Sequence, residues 1–287
     1  MTHPLSRRAW LGTGLAAGLG AWGLPTLGRV RERIQFGVVP YLPARRLVAL
    51  YSPVLPTLES ALGQPVEIVS APSYGAHLQR LRAGDYDVVA DSLFLSRIAQ
   101  RDLSHVPVVR TKAQLEPVLV VPAQGGVTKL SELSGRAVCV TDRLAALSVI
   151  GLRYLRDQGL VPGQEFKLVV SGSHANSLNR MLAGEAAAAI VSRTTLKQVA
   201  PEMAQRVHVL LTFPPALSAV VYHVAPTLTA KAPALAQALL NFANKTPAGH
   251  AFIEALGHEG LVPATAAELS SLDPVVAEFY SQLSVAE

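Results

Sequence analysis

One stretch of this chain occurs twice at a constant spacing of 100 residues, and it limits the possible folds more than any other feature. The copies run from Ser73 to Asp85 and from Ser173 to Glu185, matching or nearly matching at Ser73/Ser173, Leu78/Leu178, Arg80/Arg180, Ala83/Ala183, Gly84/Gly184 and Asp85/Glu185. In each copy a Ser ahead of a helical apolar pattern is an N-cap signal, and the Gly is a C-cap signal. The apolar runs that follow, Val88 to Ala90 and Ala186 to Ile190, read as buried strands. The unit is a capped helix feeding a strand.

The flanking sequence repeats the same plan. Each copy is preceded by a strand (Pro65 to Ser70; Phe166 to Ser171), then a longer helix closed by Gly63 or Gly159, then an earlier strand (Ile34 to Val39; Arg136 to Thr141). This order predicts an α/β chain of two βαβαβ halves, each a mostly parallel sheet flanked by helices. In open parallel sheets the ligand sits beyond the carboxyl ends of the strands, where the next helices begin. Ser73-Tyr74 and Ser173-His174 hold that place in the two halves, which predicts a two-lobed binder with a cleft.

The first long helix, from Pro43 to about Leu62, contains Pro53 and Pro56 and is expected to be kinked or split there. A helix follows Asp91-Ser92 and reaches about Gln100, Val106 to Thr111 is a strand, and Val118 to Pro122 carries the chain into the second lobe. There Leu144 to Gln158 reads as the long helix, with Thr141 or Asp142 as N-cap, and a further helix begins at Ser192. Strands Val207 to Phe213 and Ala219 to Val224 return the chain to the first lobe, which Ala230 to Ala243 and Ala248 to Leu256 finish as helices. The expected division is an export segment over 1–32, one lobe from 33–117 and 219–287, and the other from 118–218. Two lobes joined by such crossings make a hinge able to close on a ligand.

The chain has 287 residues, half of them hydrophobic, and a formal charge of +5. That is ample for large cores and excludes a disordered chain. Removing the arginines at 7, 8, 29, 31 and 33 together with Glu32 leaves +1, so bulk charge gives no support for nucleic-acid binding. Arg7-Arg8-Ala9-Trp10-Leu11 resembles a twin-arginine export motif, and the uncharged run Ala9 to Gly28 follows it. Export to the periplasm is the reading. Without an Ala-x-Ala site near Leu27, cleavage and a retained membrane tether both stay open. The lone Cys139, in an apolar strand, is expected to be a buried structural thiol.

Motifs for catalysis are scarce: there is no Gly-x-Ser-x-Gly, His-Glu-x-x-His, phosphate loop or dinucleotide fingerprint. His105, His208, His223 and the His250/His258 pair read as packing or surface residues, and no cofactor or metal is expected. The strand-to-helix junctions are different, because they come from separate parts of the chain and would converge. Helix starts present unpaired N–H groups that suit an anionic or strongly polar ligand. The ligand-binding candidates are Tyr41, Ser73, Tyr74, Asp91, Ser92, Thr141, Asp142, Arg143, Ser173, His174 and Asn176. A His174 that contacts an anion is expected to stay protonated above its free pKa of about 6.5.

Taken together, Gly37-Val38-Val39-Pro40-Tyr41, Ala71-Pro72-Ser73-Tyr74, Ala83-Gly84-Asp85-Tyr86-Asp87-Val88, Leu130-x-x-Leu133-x-Gly135-Arg136 and Ser173-His174-x-Asn176-Ser177-Leu178 resemble the phosphate/phosphite/phosphonate-binding proteins of ABC transporters. The resemblance runs from about Ile34 to Leu256. It implies a type II periplasmic-binding-protein fold, no enzymatic activity, and delivery of a small, anionic ligand to a membrane permease and its ATPase. It places the family's motif tyrosine on Tyr74 and its anion-contacting histidine on His174. Three departures bear on the ligand. Asp142-Arg143-Leu144-Ala145-Ala146 lacks the Ser/Thr pair of phosphonate binders, Ala90-Asp91-Ser92 lacks their aromatic, and Ala216-Leu217-Ser218 lacks their acidic residue. Arg143 would supply replacement charge for an oxyanion, whereas Asp91 argues against a dianion. Two other readings of the residues are a tethered sensor or lipid-shuttle module of the same fold, and a hydrolase or transferase using His174 and Asp142.

Overall fold

The structure, a computed structural model, describes residues 32–277 and 280. The expected export segment, apart from its last residue Glu32, therefore lies outside the described residues. In the first half β1 (Ile34–Val38) leads to α1 (Ala44–Tyr51), a single 3-10 turn over Ser52–Val54, and α2 (Leu55–Leu62). The break falls at the two prolines, since each removes an N–H that a continuous helix would need. Next come β2 (Val66–Val69), α3 (Tyr74–Arg82), β3 (Val88–Asp91), α4 (Leu93–Leu103) and β4 (Val106–Thr111).

The second half holds β5 (Pro117–Pro122), β6 (Ala137–Val140), α5 (Ala146–Asp157), β7 (Lys167–Val170), α6 (His174–Leu182), β8 (Ala188–Ser192), α7 (Arg193–Gln198), α8 (Pro201–Gln205) and β9 (Val207–Thr212). The chain then returns through β10 (Val221–Val224), α9 (Ala232–Lys245), α10 (Pro247–Ala255), β11 (Leu261–Pro263) and α11 (Ala266–Ser270). The α5 start differs from expectation. Its N-cap is Ala145, which has no side chain to cap with, while Asp142 Oδ1 accepts from the Leu144 N–H at 2.9 Å and forms a local turn before the helix.

Two mixed sheets result, ordered β11-β4-β10-β3-β1-β2 and β7-β6-β8-β5-β9. Leaving β11 aside, the two orders are the same. In each sheet the first three strands are parallel, and one strand from the other end of the chain's path (β10 or β5) is inserted antiparallel between the third and the last. These inserted strands are the first ones laid down after each crossing between lobes, so the two crossings place them head-to-tail with their neighbours. Register makes the duplication quantitative. Gly37↔Val69 and Val38↔Ala90 in the first sheet correspond to Cys139↔Val169 and Val140↔Ile190 in the second. The 100-residue spacing thus holds across the second and third strands, while the first strands are 102 apart, so the connection from first to second strand is two residues longer in the first lobe.

The first lobe is filled by an aromatic cluster: Phe36 lies 5.9 Å from Tyr51 and 6.3 Å from Tyr222, and Tyr51 lies 5.8 Å from Phe252. These rings lock α1 and α10 onto the sheet, with Tyr51 and Phe36 fully buried. In the second lobe α5 comes close to β8 because Gly151 has no side chain, and a Cβ there would lie 2.9 Å from Ile190. Cys139 is buried and unpaired, and burial pushes its thiol up, as befits a structural residue.

Candidate ligand-binding cleft

Helices α3 and α6 are built alike. Ser73 Oγ accepts from the Ala76 N–H and Ser173 Oγ from the Asn176 N–H, both at 3.2 Å. Arg80 donates to Asp85 and to the Ser70 carbonyl, while Arg180 donates to Glu185 and to the Val170 carbonyl. Each arginine therefore ties the helix end to the strand that precedes it, at the same spacing in both lobes. Gly84 and Gly184 follow the helix ends at φ +71 and +82, a conformation that glycine adopts without steric cost. The repeat exists to aim two helix starts, those of Tyr74 and His174.

Both starts open on one cavity of about 750 Å³, walled by residues from both sheets' connections. Of the eleven candidates, Tyr41, Tyr74, Ser92 and His174 line it. Ser73 and Ser173 serve as caps, and Asn176 Nδ2 donates to the Ser171 carbonyl, so these three shape the site from beside it. Thr141 is fully buried and sits 2.7 Å from His174 Nδ1, fixing the imidazole and leaving its Nε2 free of that bond. Arg143 is half-buried and is not in the cavity wall.

Two carboxylates lie just behind the wall. Asp142, from the second lobe, accepts from the backbone N–H of Leu144 and lies near that of Tyr74, at the start of α3 in the first lobe. Burial raises its pKa against the pull of those donors and of Arg143. Asp91 has no exposed surface. Its Oδ2 lies 3.3 Å from His77 Nε2 and 3.6 Å from His223 Nε2, and its Oδ1 accepts from the Ser92 N–H at 2.8 Å. Burial would raise this carboxyl, but His77 and His223 hold it down to about 2. Asp91 is consequently placed as the anchor of a buried imidazole network and not in the cavity wall.

Among the described residues of the protein itself, His174 has no charged partner. Burial takes its pKa to about 4, and no carboxylate counters that effect, so the ring is neutral near pH 7. In the tautomer in which the Thr141 hydroxyl donates to Nδ1, Nε2 carries the hydrogen and is the ring's remaining donor. Tyr41 donates to the Tyr51 hydroxyl at 3.3 Å and its own hydroxyl is pushed up to about 12 by burial. Both tyrosines stay protonated at neutral pH.

Several wall residues were absent from the sequence-derived candidates. Ser192 lines the cavity at the start of α7, 100 residues after Ser92, so extending the repeat would have found it. Its Oγ accepts from the Thr195 N–H at 3.1 Å, whereas Ser92 Oγ has no partner. Arg46 on α1 and the alanine face of α10 carry no comparable signal, because periodicity does not say which lobe a helix faces. Contacts across the cleft include Gln198 Nε2, which donates to the Ala255 carbonyl at 3.4 Å, and Gly257, whose missing Cβ makes room for Thr194. Among the described residues no group of three or more His, Cys, Asp or Glu is placed to hold a metal.

Two lobes of repeated sheet topology, joined by crossings and closed over a cavity at paired helix starts, define the class of two-lobed periplasmic binding proteins. The comparisons agree. The family model for the ABC-transporter phosphonate periplasmic substrate-binding protein matches residues 36–269, and the chain belongs to that family. PhnD1 from Prochlorococcus marinus, solved with methylphosphonate, is similar in structure at a TM-score of 0.76 and 13% identity, over 87% of this chain and 98% of that one. A binding protein of an ABC phosphonate transporter from Pseudomonas aeruginosa gives 0.77 at 14% identity, over 87% of each chain. The alkanesulfonate-binding protein SsuA from Xanthomonas axonopodis pv. citri, bound to MOPS, gives 0.59 at 17%, over 88% and 93%. No curated protein sequence matches.

Proposed function

We propose that this protein is an exported solute-binding component that captures a small anionic ligand between its lobes and delivers it to an ABC permease and ATPase. The observation that carries the reading is that the starts of α3 and α6, one from each lobe, open on the same cavity with Tyr74 and His174 at their first positions. Helix starts concentrate unpaired N–H groups and partial positive charge, and a ligand that bridges both is held best when the lobes are closed. The methylphosphonate and MOPS bound by the similar proteins are both organic oxyanions, which supports an oxyanion here. Arg7 and Arg8 would direct the folded protein to the periplasm.

Calorimetric titration of the purified protein with methylphosphonate and with organic sulfonates tests the binding half. Saturable 1:1 binding that is weakened in His174→Ala is expected, and heats indistinguishable from dilution for every oxyanion would refute it. Stimulation of the ATPase by the loaded protein in permease-containing vesicles tests the delivery half. Loaded protein that binds ligand yet leaves the ATPase at its basal rate would point to sensing instead.

A further inference from the structure

The cavity wall is far more apolar than a small oxyanion needs. Eighteen of its 29 residues are aliphatic, Pro or Phe, and these include Ala248, Ala251 and Ala255 on α10. Those alanines lie on one face of α10, while Gly249 faces α9 so tightly that a Cβ there would collide with the Phe242 carbonyl. The helix is thus pinned to α9 on one side and presents its smallest side chains to the cleft on the other. Beside it, in the same wall, stand Ala49, Leu50 and Pro53 of the α1 segment. The resulting volume of about 750 Å³ lies in the range that encloses ligands of drug-like size, whereas methylphosphonate has only five heavy atoms.

The other eleven wall residues are polar, and only Arg46 among them carries a fixed charge. Ser92 is 5% exposed, lines the cavity, and its Oγ has no hydrogen-bond partner. A buried hydroxyl left unpaired is costly, and of those among the described residues Ser92 alone belongs to the cavity wall. His174 and Tyr74 flank the same strand-end region from α6 and α3. The wall contains one guanidinium, Arg46, and no carboxylate. At the same time Asp142, held by the Leu144 N–H, places a carboxylate near Tyr74, so a doubly charged head would meet a like charge.

From these features we infer that the ligand is an amphipathic organic monoanion, with its singly charged oxygen-rich head near Ser92 and His174 and an apolar body along α1 and α10. This rests on the cleft being the ligand site proposed above. It replaces a small phosphonate by a ligand whose affinity comes largely from burying hydrocarbon.

The test is calorimetric titration of the full chain with n-alkanesulfonates from methane- to decanesulfonate, alongside methylphosphonate and 1-octanol. Each buried methylene is worth roughly fourfold in affinity, so octanesulfonate is expected to bind at least 100-fold more tightly than methanesulfonate or methylphosphonate, and more tightly than octanol. In Ala251→Leu, which fills the groove from an exposed helical position without loss of helix propensity, the dependence on chain length should flatten. Affinity independent of chain length, or methylphosphonate binding more tightly than octanesulfonate, would overturn the amphipathic ligand and leave the cleft as an oxyanion site. Octanol binding as well as octanesulfonate would overturn the charged head. A parent-like chain-length dependence in Ala251→Leu would remove the apolar body from α10. No binding by any compound would overturn both this inference and the reading on which it rests.

Discussion

The Asp142 carboxylate of the second lobe faces the start of α3 in the first, where the backbone N–H of Tyr74 draws its pKa down against burial. A side chain of the protein thereby sets a carboxylate beside a helix start that an oxyanion would use, and it does so from the opposite lobe. Replacing the charge while keeping the local turn with Leu144 separates these effects. Asp142→Asn is expected to tighten methylphosphonate binding by about fivefold or more, since a like charge beside the site is removed. Unchanged or weaker binding in calorimetry would show that Asp142 does not limit the charge of the ligand.

His174 should act as a neutral donor. Because its pKa lies at about 4 before ligand binds, few proteins in solution carry a charged ring between pH 6 and 8. Affinity for a sulfonate is therefore expected to vary by less than about threefold over that range. His174→Ala should still cost roughly 1–3 kcal/mol of binding through loss of the hydrogen bond. A steady tenfold loss of affinity per pH unit would instead show that the ligand binds together with a proton on this ring.

The repeated helix ends give a clean comparison of two costs. Nothing lies within 4 Å of a Cβ built on Gly84 or Gly184, so substitution there meets only backbone strain, and Gly84→Ala or Gly184→Ala should cost about 1 kcal/mol each in urea unfolding. At Gly37 the same added atom would lie 2.6 Å from the Tyr86 ring, which stacks 5.0 Å from His77. Gly37→Ala should be the more damaging change, by 1 kcal/mol or more, because Tyr86 has to move and its stack with His77 moves with it. Equal effects at all three sites would contradict this account.

Much of the fold was legible because local signals and the repeat agreed. Ser73 and Ser173 cap, Gly84 and Gly184 terminate, Pro53 and Pro56 break the long helix, and the strands fall where the apolar runs are. What the sequence hid depends on pairs distant along the chain. Asp91 looks like a residue at a strand end facing a ligand, yet it is sequestered by His77, 14 residues before it, and by His223 on the inserted strand β10. The three-residue β11 and α11 gave no periodic signal long enough to read, although the Thr265/Glu268 capping box was present in the sequence. Similarly, Ala248, Ala251 and Ala255 look like core positions of an apolar helix until the packing of Gly249 shows which face is spent on α9.

Export is checked independently of ligand. If Arg7 and Arg8 form the recognised pair, changing both to Lys should hold the precursor in the cytoplasm, where fractionation and immunoblotting detect it. Normal recovery of the double variant from the periplasm would exclude the twin-arginine route.

The buried imidazoles make stability depend on pH in two separate windows. His105 Nδ1 lies 2.9 Å from His223 Nδ1, and burial together with His223 takes the His105 pKa to about 3. The unfolded chain protonates this ring near pH 6.5 and the folded chain does not, so the unfolded state binds more protons and stability falls as pH drops from about 6.5. At pH 5 this amounts to about 2 kcal/mol from His105, with His174 and His258, each at about 4, adding to the same slope. Asp91 behaves differently. Its folded pKa of about 2 lies below the unfolded value of about 3.9, so its contribution is fully present above pH 4 and is lost as pH falls toward 2. Urea unfolding of His105→Leu between pH 7 and 5 should therefore show a slope shallower by up to about 1.4 kcal/mol per pH unit, whereas Asp91→Asn should lower stability by about 3 kcal/mol throughout that range by leaving His77 and His223 without their carboxylate. A parent-like slope in His105→Leu would mean that this ring already titrates in the native protein, and the His105–His223 contact would then have to open in acid.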